Sequence, residues 1–280
     1  MSRSWAQFCL VAFFLLRAEL SAQSATPSHS ISANELVRKM VDHELAAAQH
    51  PAHWMYLSRK EEGGKVTLRQ EIQTKHVGLE RLLAVNGATL NSAERAKEDK
   101  RLADLVGDAG ALEKIKQEQF EDKVKAQKML ELLPRAFLYE YAGHEGELIH
   151  LRFRPNPAFK PPTREARVFH AMEGEMWVHE DQMRLAKMSG RLKDEVNFGF
   201  GILGHLDKGG RFEIEQSEVS PRIWEMTSMR VDMRGRALIF ATIKSQERET
   251  MSQFERVPDE LTVAKAADLM MRTEHVARKY

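Results

Sequence analysis

A chain of 280 residues with 42 basic and 41 acidic side chains has a formal charge of +1. It carries no basic block, so the positive field that a nucleic-acid binder needs is missing. Its length allows one large domain or two small ones with a real core. The single cysteine, Cys9, sits so near the start that a chain trimmed there would hold no disulfide, Fe–S cluster or cysteine-ligated zinc.

Residues 1–22 have the layout of a secretory signal peptide: Arg3 in a short polar start, an apolar core from Phe8 to Leu16, and the small-residue end Leu20-Ser21-Ala22. The core is far shorter than the ~20 residues that span a bilayer, so cleavage is expected and no integral membrane segment afterwards. Cys9 lies inside the core instead of following it, which is not the arrangement of an acylated N-terminus. Removing Arg3, Arg17 and Glu19 leaves 40 basic and 40 acidic residues. The expected location is the periplasm or the secreted space.

A Ser/Thr/Pro/Gln-rich linker, 23–31, precedes a single domain expected over 32–280. Ser32-Ala33-Asn34-Glu35 has capping-box spacing and predicts a helix, with Leu36, Met40, Val41 and Leu45 as its buried stripe, stopped by Pro51. Strands are predicted over Trp54–Lys60, Val66–Thr74 and Leu79–Val85, with turns at Glu61-Glu62-Gly63-Gly64-Lys65 and Asn86-Gly87. From about 91 to 133 charged residues dominate and Gly107-Asp108-Ala109-Gly110 divides the segment, which predicts an inserted helical hairpin ended by Pro134. Its first arm can pack through little more than Leu102, Leu105 and Val106. Strands resume at Ala136–Ala142 and Glu147–Arg154, and the four prolines between Pro155 and Pro162 mark a surface connection.

Met172 to Ile243 reads as an antiparallel meander. Arg211-Phe212-Glu213-Ile214-Glu215 and Met229-Arg230-Val231-Asp232-Met233 alternate strictly, so one face is apolar and the other wet. A last helix is predicted from about Thr262 to Val276. Gly199-Phe200-Gly201-Ile202-Leu203-Gly204 fits the dinucleotide pattern, but a turn and a strand follow where that site needs a helix. The histidines include His144, His150, His170 and His179, with no His-x-His or H-E-x-x-H pair among them, and no G-x-S-x-G elbow occurs. No cofactor, metal or catalytic residue is implied, and the expectation is a non-enzymatic protein.

Val85-Asn86-Gly87-Ala88-Thr89-Leu90 before a charged helical insertion, Leu133-Pro134-Arg135-Ala136-Phe137, Leu151-Arg152-Phe153-Arg154-Pro155, Gly174-Glu175-Met176-Trp177-Val178 and Asn197-Phe198-Gly199-Phe200-Gly201 together resemble uncharacterised exported bacterial proteins. These are similar to the outer-membrane lipoprotein-sorting (LolA/LolB-like) superfamily of periplasmic carriers and to a related anti-sigma-factor partner domain. The resemblance implies an α+β fold, mainly antiparallel β: a curved open half-barrel whose concave face is covered by helices, with the helical hairpin inserted. It implies lipid or lipoprotein acyl chains as partners.

The residues expected to line an apolar concavity are Phe212, Ile214, Phe198, Phe200, Trp177, Trp224 and Met229, covered by the 32–50 helix and the C-terminal helix. The leading expectation is therefore an exported binder of a lipid, an acyl chain or another long apolar ligand. The alternative is a periplasmic protein-interaction or envelope-sensing module, with an envelope protein as partner, acting through the 91–133 insertion and the Pro-rich loop. In that alternative the insertion is separable from a sheet that folds without it.

Overall fold

The computed structural model describes residues 31–198, 204–237 and 246–272; the expected signal peptide and most of the linker lie outside them. The compact unit Ser32–Tyr280 opens with helix α1 (Ala33–Gln49), whose N-cap Ser32 accepts a hydrogen bond from Glu35 N–H. The reciprocal half of the box does not form, because Glu35 pairs with Arg38 one turn on. Strands β1 (Trp54–Glu62), β2 (Lys65–Gln73), β3 (Gly78–Val85) and the short β4 (Ala88–Thr89) follow.

Next come α2 (Ser92–Gly107) and α3 (Ala109–Ala136). A full capping box forms at the start of α2, where Asn91 and Glu94 each accept from the other's backbone N–H. Helix α3 runs two residues past Pro134, a correction to the predicted stop: a proline in the last turn removes one N–H without breaking what precedes it. After β5 (Phe137–Glu145), β6 (Leu148–Pro155) and a 3-10 helix (Glu165–Ala171) come β7 (Met172–His179), β8 (Arg184–Leu192), β9 (Val196–Phe198), β10 (Gly204–Leu206), β11 (Arg211–Ser220), β12 (Ile223–Asp232), β13 (Gly235–Ala237), β14 (Gln246–Arg256) and α4 (Val263–Arg272).

The predicted meander divides. Strands β9, β10 and β13 form a small sheet of their own. The rest join one antiparallel sheet of eleven strands in the order β4-β3-β2-β1-β14-β12-β11-β8-β7-β6-β5, not closed into a barrel. Strand β14 lies in the middle, between β1 and β12.

The sheet is strongly curved, as α3 shows. Gln119 of α3 is hydrogen-bonded to Gly78 of β3, and the helix ends at the residue before β5. The seventeen residue steps from Gln119 to Ala136 rise about 26 Å. Nine strand spacings from β3 to β5 would span about 43 Å if flat. The two edges therefore approach one another and α3 straps the opening. Helix α1 packs on α3, β5 and β8, so it lies on the concave face, under the strap.

The register lets each residue be assigned to a face. Phe137, Tyr139, Leu151, Phe153, Met176, Val178 and Met188 project to the concave side and are buried with Leu36, Val37, Met40 and Val41 of α1. Met55, Ile72 and Leu79 project to the convex side, where they pack with Leu102 of α2 and Ala266, Ala267 and Met270 of α4. The expected joint cover of one face by the first and last helices is thus corrected: α1 is inside the curve and α4 outside it. The sheet changes its apolar face between β14 and β1, which is why the molecule needs two cores.

Candidate functional site

Between the strands that α1 covers and those that α2 and α4 cover lie β11, β12 and β14. On their concave side Phe212 stands opposite Val231 and Ile214 opposite Met229. All four are only half-buried, because among the strands α1 packs chiefly on β5 and β8 and α4 on β3 and β2. Met188 and Met251 border this strip and are buried. Two strictly alternating segments, joined by the turn at Pro221-Arg222, bring these side chains together.

Toward β1 the concave face turns polar. Tyr56 Oη donates to Glu71 at 2.7 Å, Ser58 Oγ donates to Glu249 at 2.5 Å and Trp54 Nε1 donates to Glu225 at 2.8 Å. Burial pushes the Glu71 carboxyl above the usual carboxylate range, helped by the charge of Glu249 and opposed by the Tyr56 hydroxyl. Burial likewise raises Glu225 against the Trp54 hydrogen bond. At the end of α1, Glu44 accepts from Arg184 at 2.8 and 3.0 Å and from the Leu185 N–H at 2.9 Å, which pins the helix to the start of β8.

Another recess lies elsewhere and is walled largely by charged residues. A groove of about 790 Å³ runs over the convex side of β5–β8, β11 and β12, walled by five arginines (Arg152, Arg154, Arg191, Arg211, Arg230) and five carboxylates (Glu140, Glu173, Glu175, Glu213, Asp232). Phe153, Gly174, Gly190 and Phe212 border it as well.

Of the seven residues expected to line a concavity, the structure brings Phe212, Ile214 and Met229 together on the concave strip. Trp177 is on the other face, its ring stacked on His150 at 4.6 Å and 4° with Lys187 Nζ 5.7 Å from its centroid. Trp224 is at the start of β12, donating to Gln182 at 2.9 Å, with His179 edge-on. Phe198 belongs to β9, where its side chain is outside the description, and Phe200 lies outside the described residues. Val231, Met188 and Met251 were missed; Val231 alternates with Met229 and could have been found from that spacing alone.

Among the described residues no group of three His, Cys, Asp or Glu side chains is arranged to hold a metal, and no helix is long and apolar enough to cross a membrane. Fold and strip define an α+β protein built on an open, curled antiparallel sheet. No family model and no curated protein matches the chain. A solved DUF1329 family protein from Desulfovibrio piger is similar at 10% identity over 79% of this chain and 92% of that one, with a TM-score of 0.28. A likeness of that degree transfers neither fold nor function.

Proposed function

We propose that the protein is an exported, non-enzymatic binder of a lipid or other long apolar ligand, held along the concave strip of Phe212, Ile214, Met229 and Val231. One observation carries the reading: four apolar side chains stand side by side inside the curve of the sheet and stay half-buried, while the neighbouring strands are sealed by α1. Water over such a strip is displaced favourably by an acyl chain, at about 0.8 kcal/mol for each methylene buried. The bordering methionines adapt to chains of different shape. Export is supported by the signal-peptide layout of residues 1–22.

The test is native mass spectrometry of protein purified without detergent, with organic extraction of what it carries, beside displacement of a fluorescent fatty-acid probe. A bound apolar species and at least a tenfold loss of probe affinity in Ile214→Glu are expected. An empty protein with no probe binding overturns the proposal.

A further inference from the structure

On the convex side of the same strands, Arg191 of β8 lies directly opposite Arg211 of β11, and Arg230 of β12 directly opposite Arg248 of β14. Like charges in direct cross-strand register repel. Two such pairs on four successive strands are a standing cost unless something negative sits between them.

Carboxylates do stand opposite these arginines in the register, Asp232 to Arg211, Glu213 to Arg230 and Glu61 to Arg248, but none of them closes an ion pair with its arginine within 4.0 Å. Glu173 is committed to Arg191 at 2.8 Å, Glu213 to Lys187 at 3.2 Å and Glu61 to Arg59 at 3.8 Å. Asp232, opposite Arg211, has no ion-pair partner within 4.0 Å among the described residues, and the same is true of Arg211, Arg230 and Arg248. None of the three guanidinium groups is closed off by an ion pair among the described residues. They also border open space: Arg211, Arg230 and Asp232 wall the large groove, while Arg230, Asp232 and Arg248 wall a second recess of about 210 Å³ that continues it to the Gly63-Gly64 turn.

We propose that this end of the groove binds a phosphate-type dianion, with Arg211, Arg230 and Arg248 as its ligands. Guanidinium groups present paired N–H donors that match the oxygen geometry of phosphate. The site is on the opposite face from the apolar strip and does not depend on it.

The like-charge register of Arg191 with Arg211 and of Arg230 with Arg248 gives the proposal a signature that general basicity lacks. Inorganic phosphate and pyrophosphate should raise the melting temperature of the wild-type protein, with an effect that shrinks as NaCl is added. Arg211→Gln/Arg230→Gln should melt higher than wild type without ligand, because the repulsion is relieved, and should bind pyrophosphate at least tenfold more weakly. Vesicles of phosphatidylcholine with and without phosphatidic acid separate the sources. Binding to phosphatidic acid vesicles beyond that to pyrophosphate assigns a lipid headgroup, and equal or weaker binding assigns a soluble phosphate. No stabilisation by phosphate or pyrophosphate, or a double variant that binds as wild type does, overturns the site. Loss of fatty-acid probe binding in Ile214→Glu with pyrophosphate binding intact separates its fate from that of the apolar strip.

Discussion

The side-chain amide of Gln119 takes the place of a neighbouring strand at Gly78. Its Oε1 accepts from the Gly78 N–H at 2.9 Å and its Nε2 donates to the Gly78 carbonyl at 3.1 Å. At the other edge of the sheet Asn34 does the same for β5, accepting from the Tyr139 N–H at 3.1 Å and donating to the Phe137 carbonyl at 2.9 Å. Glu98 and Arg101 of α2 occupy further edge groups of β3, at the Leu82 N–H and the Glu80 carbonyl. Free strand edges invite pairing with other chains, and here helices on both sides answer them with side chains.

Loss of either amide should loosen the strap. Gln119→Ala removes two solvent-accessible hydrogen bonds and should cost about 1 kcal/mol. Asn34→Ala removes bonds to Phe137, Tyr139 and Pro134 in a partly buried place and should cost about 2–3 kcal/mol. Urea unfolding measures both, and amide exchange should quicken at Gly78 in the first variant and at Tyr139 in the second. Equal costs, or exchange unchanged at both edges, would contradict the assignment.

Two glycines are fixed by their neighbours. A Cβ on Gly190 would stand 2.5 Å from Phe212 Cε1 and 3.0 Å from the Glu173 carbonyl oxygen, whereas one on Gly174 would overlap the backbone carbonyl of Ser189. A ring can move and a sheet carbonyl cannot. Gly190→Ala should therefore cost about 1–3 kcal/mol and be partly relieved by Phe212→Leu. Gly174→Ala should cost more, and Phe153→Leu should not restore it. A double-mutant cycle by chemical denaturation reads the difference, and rescue of Gly174→Ala by Phe153→Leu would refute it.

Glu71 and Glu98 should shift stability with pH in opposite senses. Glu71 is raised by burial, so its favourable contribution is complete below its unfolded pKa, near 4.5, and is lost as pH rises through the higher folded value. Glu98 is pushed up by burial, but Arg101 and the Leu82 N–H outweigh this and lower it. Its stabilisation is present above the unfolded pKa and disappears as pH falls through the folded one. Relative to wild type, Glu71→Gln should gain stability at neutral pH and lose that gain in acid, while Glu98→Gln should lose stability at neutral pH and approach wild type in acid. Denaturant melts across pH 3 to 8, about the range in which carboxylates titrate, check both; parallel curves for the two variants would refute the pair.

Period-two alternation made the strands legible, and proline and glycine placed most of their ends to within a residue or two, although β5 runs three residues past its predicted end at Ala142. Phe212, Ile214 and Met229 could be grouped because Arg211–Glu215 and Met229–Met233 alternate without interruption. What the sequence concealed was which face each stretch presents. Met55 and Met176 look alike as strand residues, yet they belong to opposite cores, because that depends on strand order and on the insertion of β14 between β1 and β12. The charged segment 91–133 hid its role for a different reason. Leu102 alone among the residues of α2 is buried, but it is completely so and completes the outer core with Ile72 and Met270. The insertion is part of the packing, not a separable arm. Trp177 misled because size and apolarity say nothing about the ring of His150 that stacks on it.

The position of β14 also governs how the chain can assemble. Arg59 of β1 pairs with Thr250 of β14, and Ser228 of β12 with the same residue, so the strand that joins the two halves of the sheet is made almost last. Until it emerges, β1 and β12 remain open edges and the N-terminal strands lack α4 over their outer core. Pairings at such sequence separation form slowly. The local hairpins on either side can form earlier, but they stay two separate pieces until β14 joins them, and the chain depends on protection of those edges in the interval.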